Sequence, residues 1–165
     1  MRLLAVLLAA VLTLSGCSAS DTGTKDDEPK TLPDVTLEPL GDGEPVALRD
    51  LEGPMVINLW ASWCGPCKRE LPKYQAFAEE YDGRVDVLGV DWQDTRLDAA
   101  RQLARQSGVT YPLVTDPKGE LRARFLPQLI LLDRDGTIAF EKYVEIKSVA
   151  QLEDLVEQHL EVTTS

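Results

Sequence analysis

A Cys-Gly-Pro-Cys segment, residues 64–67, most constrains this chain because it joins a strand pattern to a helix pattern. The residues before it, from Val56 onward, form an apolar run that is typical of a strand buried on both faces. The residues after it place side chains at helical spacing, at Cys67, Leu71, Tyr74, Ala78 and Tyr81. A buried strand that leads into a Cys-x-x-Cys helix start predicts a thiol–disulfide site.

The two cysteines are predicted to have different roles. Cys64 lies at or before the first helical turn, where unpaired N–H groups and the helix dipole favour an anion. This lowers the pKa of the thiol and supplies thiolate, the nucleophile of disulfide exchange. Pro66 suits the first turn, where its missing N–H has no intrahelical partner. We therefore assign Cys64 as the exposed attacking thiol and Cys67 as the buried resolving thiol, with no further cofactor.

Zinc binding is the alternative for this pair. A zinc site needs further ligands, and the chain offers only Cys17 and His159, both near its ends. Redox chemistry is therefore the interpretation that we adopt, and no metal site is predicted.

The cysteine motif resembles that of the thioredoxin superfamily. Trp63–Cys67 is the active-site motif of thioredoxins, and Pro72 matches the proline that kinks their active-site helix. The run Asn58–Cys64 is similar to the membrane-anchored branch, the TlpA-like and ResA-like thiol-disulfide oxidoreductases. The resemblance covers roughly residues 32–160. It implies an α/β thioredoxin fold with three layers (α/β/α), a mixed central sheet, an N-terminal β-hairpin and an inserted helix.

Two positions set this chain apart from cytosolic thioredoxin. Asn58 stands where thioredoxin has a buried aspartate, and an amide cannot take up a proton. Glu70 matches a glutamate beside the active site of the ResA-like branch, and at i+3 from Cys67 it shares that helix face. A partly desolvated Glu70 would have a raised pKa and could accept the Cys67 proton. The alternative is a solvated acid beside Lys73 or Tyr74.

A proline opens a later apolar strand, where it cannot donate a ladder hydrogen bond. The resemblance implies that Pro127 is cis, faces the two cysteines and keeps metals away from them. It also implies that Leu126 contacts the substrate chain, and we expect Trp63, Gly65 and Pro66 to contribute further contacts. The loop before Pro127 is shorter than in the family, which changes the substrate groove. The alternative is a trans proline at a strand edge.

The N-terminus carries an export signal. An apolar run over residues 3–14 is too short to span a membrane comfortably, and it leads into Leu14-Ser15-Gly16-Cys17. This resembles the bacterial lipoprotein signal, which is cut before a lipidated cysteine. We predict a signal peptide over 1–16, lipidated Cys17 and a flexible tether over 17–31, and a thioredoxin-like domain over 32–162. An uncleaved anchor with a free Cys17 is the alternative; either way the domain is extracytoplasmic.

The chain has 28 acidic and 17 basic residues and a formal net charge of −11. This charge argues against nucleic-acid partners and against electrostatic docking on anionic lipid. The acidic charge could favour basic partners, or it could simply reflect a solvated acidic surface. We expect a monomer held at the membrane by lipid on Cys17, whose partners are protein thiols and disulfides and a membrane thiol electron carrier.

Strands and helices alternate along the rest of the chain, which predicts a sheet covered on both faces. The further predicted elements are a hairpin around Gly41–Gly43, strands over 85–90, 111–115, 126–132 and 137–144, a helix capped by Asp94 and closed by Gly108, a short helix over Gly119–Phe125, and a last helix with a Ser148/Gln151 capping box.

These features predict an extracytoplasmic thiol–disulfide oxidoreductase. Gly-Pro between the cysteines favours a reductase, and the resemblance implies reduction of the haem-binding cysteines of apocytochromes c. The second candidate is an oxidant or isomerase for disulfide formation in secreted proteins. A copper-handling protein fits less well because the cysteines are too close and His159 lies in the last helix. A peroxidase does not fit, because Ala61 replaces the threonine expected three residues before a peroxidatic cysteine.

Overall fold

The computed structural model describes residues 29–162, which form a seven-stranded sheet and three α-helices. The predicted signal peptide, Cys17 and the tether as far as Glu28 lie outside the described residues. In chain order the elements are β1 (Thr36–Pro39), β2 (Val46–Ala47), a 3-10 helix (Leu48–Asp50), β3 (Met55–Trp60), α1 (Gly65–Glu80), β4 (Asp86–Trp92), α2 (Leu97–Gln106), β5 (Leu113–Asp116), β6 (Gln128–Leu132), β7 (Ile138–Tyr143) and α3 (Val149–Leu160).

The sheet is mixed, as predicted, and its strand order is β2-β1-β5-β4-β3-β6-β7. Strands β3, β4 and β5 are parallel, whereas β6 runs antiparallel to β3 and to β7. All six residues of β3 are buried, which explains its continuous apolar sequence. The predicted N-terminal hairpin is present as the antiparallel pair β1–β2. The active-site segment therefore leaves from the end of a central, fully covered strand.

One face of the sheet carries all three described helices. The crossovers β3-α1-β4 and β4-α2-β5 step in the same direction, and right-handed connections place both helices on the same face. Trp60 of β3 clusters there with Leu71 of α1 and with Ala100 and Ala104 of α2. Further along the same face, α3 packs against α1 through Leu152, Val156 and Leu160. The inserted helix of the predicted fold is α2.

The opposite face is covered by segments without an α-helix, and the predicted helix over Gly119–Phe125 is wrong. Gly119 has a φ of +71°, which a helix cannot contain. The Leu121 carbonyl accepts hydrogen bonds from Trp92 Nε1 at 2.6 Å and from the Ala123 N–H at 2.9 Å. The Asp116 carboxylate accepts the N–H groups of Glu120 and Leu121, both at 2.8 Å. These bonds hold residues 117–127 against the sheet as a segment of turns and bends, which we call the strap.

Local capping differs from the prediction at two helices. Arg96, not Asp94, occupies the N-cap of α2, because Asp94 accepts hydrogen bonds from the Ser62 and Arg96 N–H groups instead. Ser148 caps α3 as predicted, but the Gln151 side chain accepts from the Lys147 N–H rather than from Ser148. Gly108, with a φ of +72°, ends α2 as predicted. Over residues 29–162, no helix has the length and apolar character needed to cross a membrane.

Candidate active site

The two cysteines lie at the start of α1, directly after the end of β3, and form a disulfide with a Cα–Cα distance of 5.3 Å. Cys64 is the N-cap residue, and its sulfur accepts a hydrogen bond from the Cys67 N–H at 3.2 Å. Pro66 occupies the first turn, as predicted. The helix N-terminus is thus aimed at the Cys64 sulfur, where it favours the thiolate once the disulfide opens.

The exposure of the two cysteines differs by less than we expected. Cys67 is fully buried and Cys64 is 4% exposed, so in the disulfide form only a small part of Cys64 is accessible. The reason is packing, because both cysteines belong to an apolar cluster with Trp60 and Leu71. Trp63, by contrast, is 50% exposed. Gly65 is also exposed and Pro66 is half-buried, so the surface around Cys64 is open although its sulfur is recessed.

Glu70 is fully buried one turn after Cys67. Its Oε2 accepts a hydrogen bond from the Ile146 N–H at 3.0 Å, and within the described part of the chain its Oε1 has no hydrogen-bond partner. Burial raises the pKa of Glu70 to about 8, against the opposing effect of the Ile146 N–H. The alternative of a solvated surface acid is therefore wrong.

Charged neighbours of Glu70 lie on the surface above it. Arg69, the residue before Glu70, forms an ion pair at 2.8 Å with Glu145, the residue before Ile146. This ion pair joins α1 to the segment before α3. Burial remains the main cause of the raised pKa of Glu70, which the Glu145 charge raises further while Lys73 and Arg69 lower it. The Lys73 ammonium itself donates to the Arg69 carbonyl.

A second buried carboxyl group, Asp91, was not predicted. It lies in β4 in register with Trp60, is fully buried, and neither of its oxygens has a hydrogen-bond partner among the described residues. Burial raises its pKa to about 8; the Asp94 charge adds to this and Arg101 opposes it. The signal was in the sequence, because an aspartate within a strand that is apolar on both faces has no route to water.

The remaining buried acids clarify what is unusual about Glu70 and Asp91. The other carboxyl groups buried in residues 29–162 are those of Asp94 and Asp116. Each of these accepts two backbone N–H groups, one on each oxygen. Glu70 accepts one N–H in all, and Asp91 accepts none from the described residues. Buried carboxyl groups with so few donors favour the neutral, protonated form.

Two of the predicted substrate contacts, Leu126 and Pro127, lie at the end of the strap, directly before β6. The Leu126–Pro127 peptide bond is cis, as predicted, so the alternative of a trans proline is wrong. The Pro127 carbonyl accepts the Val144 N–H at 3.3 Å, which attaches the strap to the end of β7. Leu126 is half-buried and packs against the cluster that contains Cys64 and Cys67. The structure thus packs Leu126 against the cluster that contains the cysteines, which lie more than fifty residues earlier in the sequence.

His159, which we considered as a further zinc ligand, lies apart from these residues. Its ring stacks on Phe140 with a centroid distance of 4.2 Å, in the last turn of α3. The two cysteine sulfurs are bonded to each other.

We predict that Glu70 makes the protein less stable as the pH rises. Between its unfolded pKa of 4.5 and its folded pKa of about 8, the folded state holds a proton that the unfolded state has released. The free energy of unfolding therefore falls across this window, by up to about 5 kcal/mol for this one group. Urea unfolding of the disulfide form at pH 5 and pH 8 should show a smaller fall in Glu70→Gln than in the wild type.

The control for this experiment is Glu80→Gln, which removes an exposed acid from the same helix. It should leave the pH dependence of unfolding as it is in the wild type. An equal fall in stability for Glu70→Gln and the wild type would show that Glu70 does not hold a proton in the folded protein.

Comparison with known proteins agrees with this geometry. The family model described as the AhpC/TSA family matches residues 29–141. The thiol-disulfide oxidoreductase ResA of Halalkalibacterium halodurans is 32% identical over 73% of this chain and 69% of its own length.

Two solved structures extend the comparison to the fold. A putative thiol:disulfide interchange protein DsbE from Chlorobium tepidum has a TM-score of 0.68 and 26% identity, covering 80% of this chain and 94% of its own. A secreted thiol-disulfide isomerase from Corynebacterium glutamicum has a TM-score of 0.63 and 27% identity, covering 76% and 85%. The chain therefore belongs to the AhpC/TSA family within the thioredoxin superfamily, and it is a thiol–disulfide oxidoreductase.

Proposed function

We propose that this protein reduces disulfides of proteins outside the cytoplasm, with Cys64 as the attacking thiol and Cys67 as the resolving thiol. The observation that carries this exchange chemistry is the buried carboxyl group of Glu70, one turn after Cys67, with a pKa raised by burial to about 8. A group with such a pKa can exchange a proton with a thiol at physiological pH. Glu70 thus gives the resolving cysteine a proton acceptor in a region that water does not reach.

The reaction has two exchange steps. The Cys64 thiolate attacks one sulfur of the substrate disulfide, forms a mixed disulfide and releases the first substrate thiolate. The Cys67 thiol then passes its proton to Glu70 and attacks the Cys64 sulfur, which releases the second substrate thiolate. The substrate gains two electrons, and the protein is left with the Cys64–Cys67 disulfide and a protonated Glu70.

The disulfide form of the protein corresponds to the state that these two exchange steps leave behind. Burial raises the pKa of Glu70 to about 8, so at neutral pH its carboxyl group holds a proton once the disulfide has formed. In the reverse direction, when a thiol donor attacks the disulfide at Cys64, Glu70 can return that proton to the leaving Cys67 sulfur. A membrane thiol carrier would serve as this donor.

We place the substrate chain between the cysteine loop and the Leu126–Pro127 peptide. An extended peptide there would contact Trp63, Gly65 and Pro66 on one side and the Leu126–Pro127 peptide on the other. The exposure of Trp63 and the packing of Leu126 against the cluster that contains the cysteines support this position. Substrates of this class include the haem-binding cysteine pairs of apocytochromes c.

The direction of electron flow follows from the reduction potential of the Cys64–Cys67 couple. Because Gly-Pro separates the cysteines as in thioredoxin, we predict a potential near −270 mV, measured by equilibration of the purified protein with glutathione or dithiothreitol. A potential near −120 mV would instead identify an oxidant of secreted proteins, the second candidate. The similarity to a thiol-disulfide isomerase is the reason to keep that candidate in view.

We also propose that lipid on Cys17 holds the protein at the outer face of the cell membrane. The similarity to a secreted isomerase supports a position outside the cytoplasm, and the Leu-Ser-Gly-Cys sequence supports lipidation. Expression of the full chain in a bacterium fed radioactive fatty acid should label the wild type and leave Cys17→Ser unlabelled. Label that persists in Cys17→Ser would contradict the lipid anchor.

A further inference from the structure

A groove of about 320 Å³ lies beside the cis peptide, on the outer side of the strap. The basic and aromatic residues that line this groove are Arg122, Arg124, Phe125, Lys142 and Tyr143, and we call them together the basic aromatic surface. Tyr143 pairs with Gln128, the residue after Pro127, and the Pro127 carbonyl accepts the N–H of Val144. The surface therefore adjoins the Leu126–Pro127 peptide, beside which we place the substrate chain.

Two aromatic side chains on this surface are unusually exposed. Phe125 is 65% exposed and Tyr143 is 55% exposed, and their rings meet edge to face with a centroid distance of 5.7 Å. Together with Trp63 they are the large apolar side chains that residues 29–162 leave exposed, and all three flank the cysteine loop or the cis proline. Exposed aromatic groups gathered in one place indicate a binding surface.

The charges on this surface are unpaired. The side chains of Arg122, Arg124 and Lys142 are exposed and make no hydrogen bond or ion pair with any residue from 29 to 162. The acid that also lines the groove, Glu141, already binds Lys30 and Gln128. In a chain of net charge −11, three unpaired cations in one groove form a local field of opposite sign.

We propose that the basic aromatic surface binds an acidic segment of the substrate protein, next to the disulfide that is reduced. This inference rests on the proposed function and names the substrate class of the same site. The guanidinium groups of Arg122 and Arg124 can bind carboxylates with two hydrogen bonds each, while Lys142 adds a point charge. Phe125 and Tyr143 contact the apolar parts of the same segment. The acidic composition of the chain, which suggested basic partners, thus does not describe the surface that meets the substrate.

A peptide fits this surface better than an anionic membrane does. The groove adjoins the place where the substrate backbone lies, so one extended chain can reach the cysteines and the cations together. The remaining surface is strongly acidic and opposes close approach to anionic lipid.

The test compares two disulfide-bonded peptides that differ only in three residues beside the ring, which are Asp in one peptide and Lys in the other. A small neutral aromatic disulfide reports the dithiol chemistry by itself. With the full-length protein at low ionic strength, we expect kcat/KM for the acidic peptide to exceed that for the basic peptide by about tenfold, since each exposed ion pair contributes roughly two- to fivefold. The preference should shrink at 0.5 M salt.

Charge reversal identifies the residues responsible. The double variant Arg122→Glu/Arg124→Glu should abolish or reverse the preference between the two peptides. The control for charge reversal away from this surface is Arg134→Glu, since Arg134 is an exposed cation in the turn at the far end of β6 and, among the described residues, has no ion pair. It should keep the wild-type preference.

The outcomes separate this inference from the function on which it rests. A protein that reduces neither the peptides nor the neutral disulfide contradicts the proposed function itself. If the protein reduces all three disulfides but has the same kcat/KM for both peptides, the acidic-substrate proposal is overturned. It is also overturned if the double reversal and Arg134→Glu change the preference between the peptides equally. Equal peptide rates together with binding to phosphatidylglycerol vesicles would assign the cations to a lipid surface and overturn it too.

Discussion

The proposed chemistry depends on an unfavourable burial, that of the Glu70 carboxyl group in the active-site helix. A carboxylate in such a place loses its hydration, and the single N–H of Ile146 replaces only part of it. The neutral form is therefore favoured, and the pKa of Glu70 rises to about 8 because of burial. The fold enforces this burial by packing α1 against both the sheet and α3, and the Arg69–Glu145 ion pair joins α1 to the segment before α3. A solvated glutamate could not hold a proton at neutral pH.

The basic aromatic surface owes its shape to the strap, which replaces the helix predicted over Gly119–Phe125. Residues 117–127 do not fold into a helix but lie as a strap, fixed by the indole of Trp92 and the carboxylate of Asp116. Within the strap, Leu121 is held against the sheet and is buried, while Arg122, Arg124 and Phe125 are exposed. The strap thus supplies two of the cations and one of the aromatic rings of the basic aromatic surface.

The sequence was most informative where a residue's role is fixed by its neighbours along the chain. The strand-to-helix pattern around Cys64, the proline at the start of β6 and the spacing of Glu70 from Cys67 all predicted features that the structure contains. It was least informative where distant residues compete for one group. The Leu121 carbonyl bonds to Trp92, twenty-nine residues away, and so is lost to the predicted helix. Asp94 likewise binds Ser62 instead of capping α2, and the burial of Asp91 depends on its register with Trp60.

The most direct test of this account is the rate at which Cys67 resolves the mixed disulfide, followed against pH in wild type and Glu70→Gln. A symmetrical aromatic disulfide releases one coloured thiolate when Cys64 attacks and a second when Cys67 resolves, so stopped-flow absorbance separates the two steps. The first phase should be similar in both proteins, Cys67→Ser should show only that phase, and Cys64→Ser should show neither. We predict a wild-type second phase that rises with an apparent pKa near 8 and is slowed on the order of 100-fold at pH 7 in Glu70→Gln. A second phase with the same rate and pH profile in both proteins would contradict the role of Glu70 as the proton acceptor.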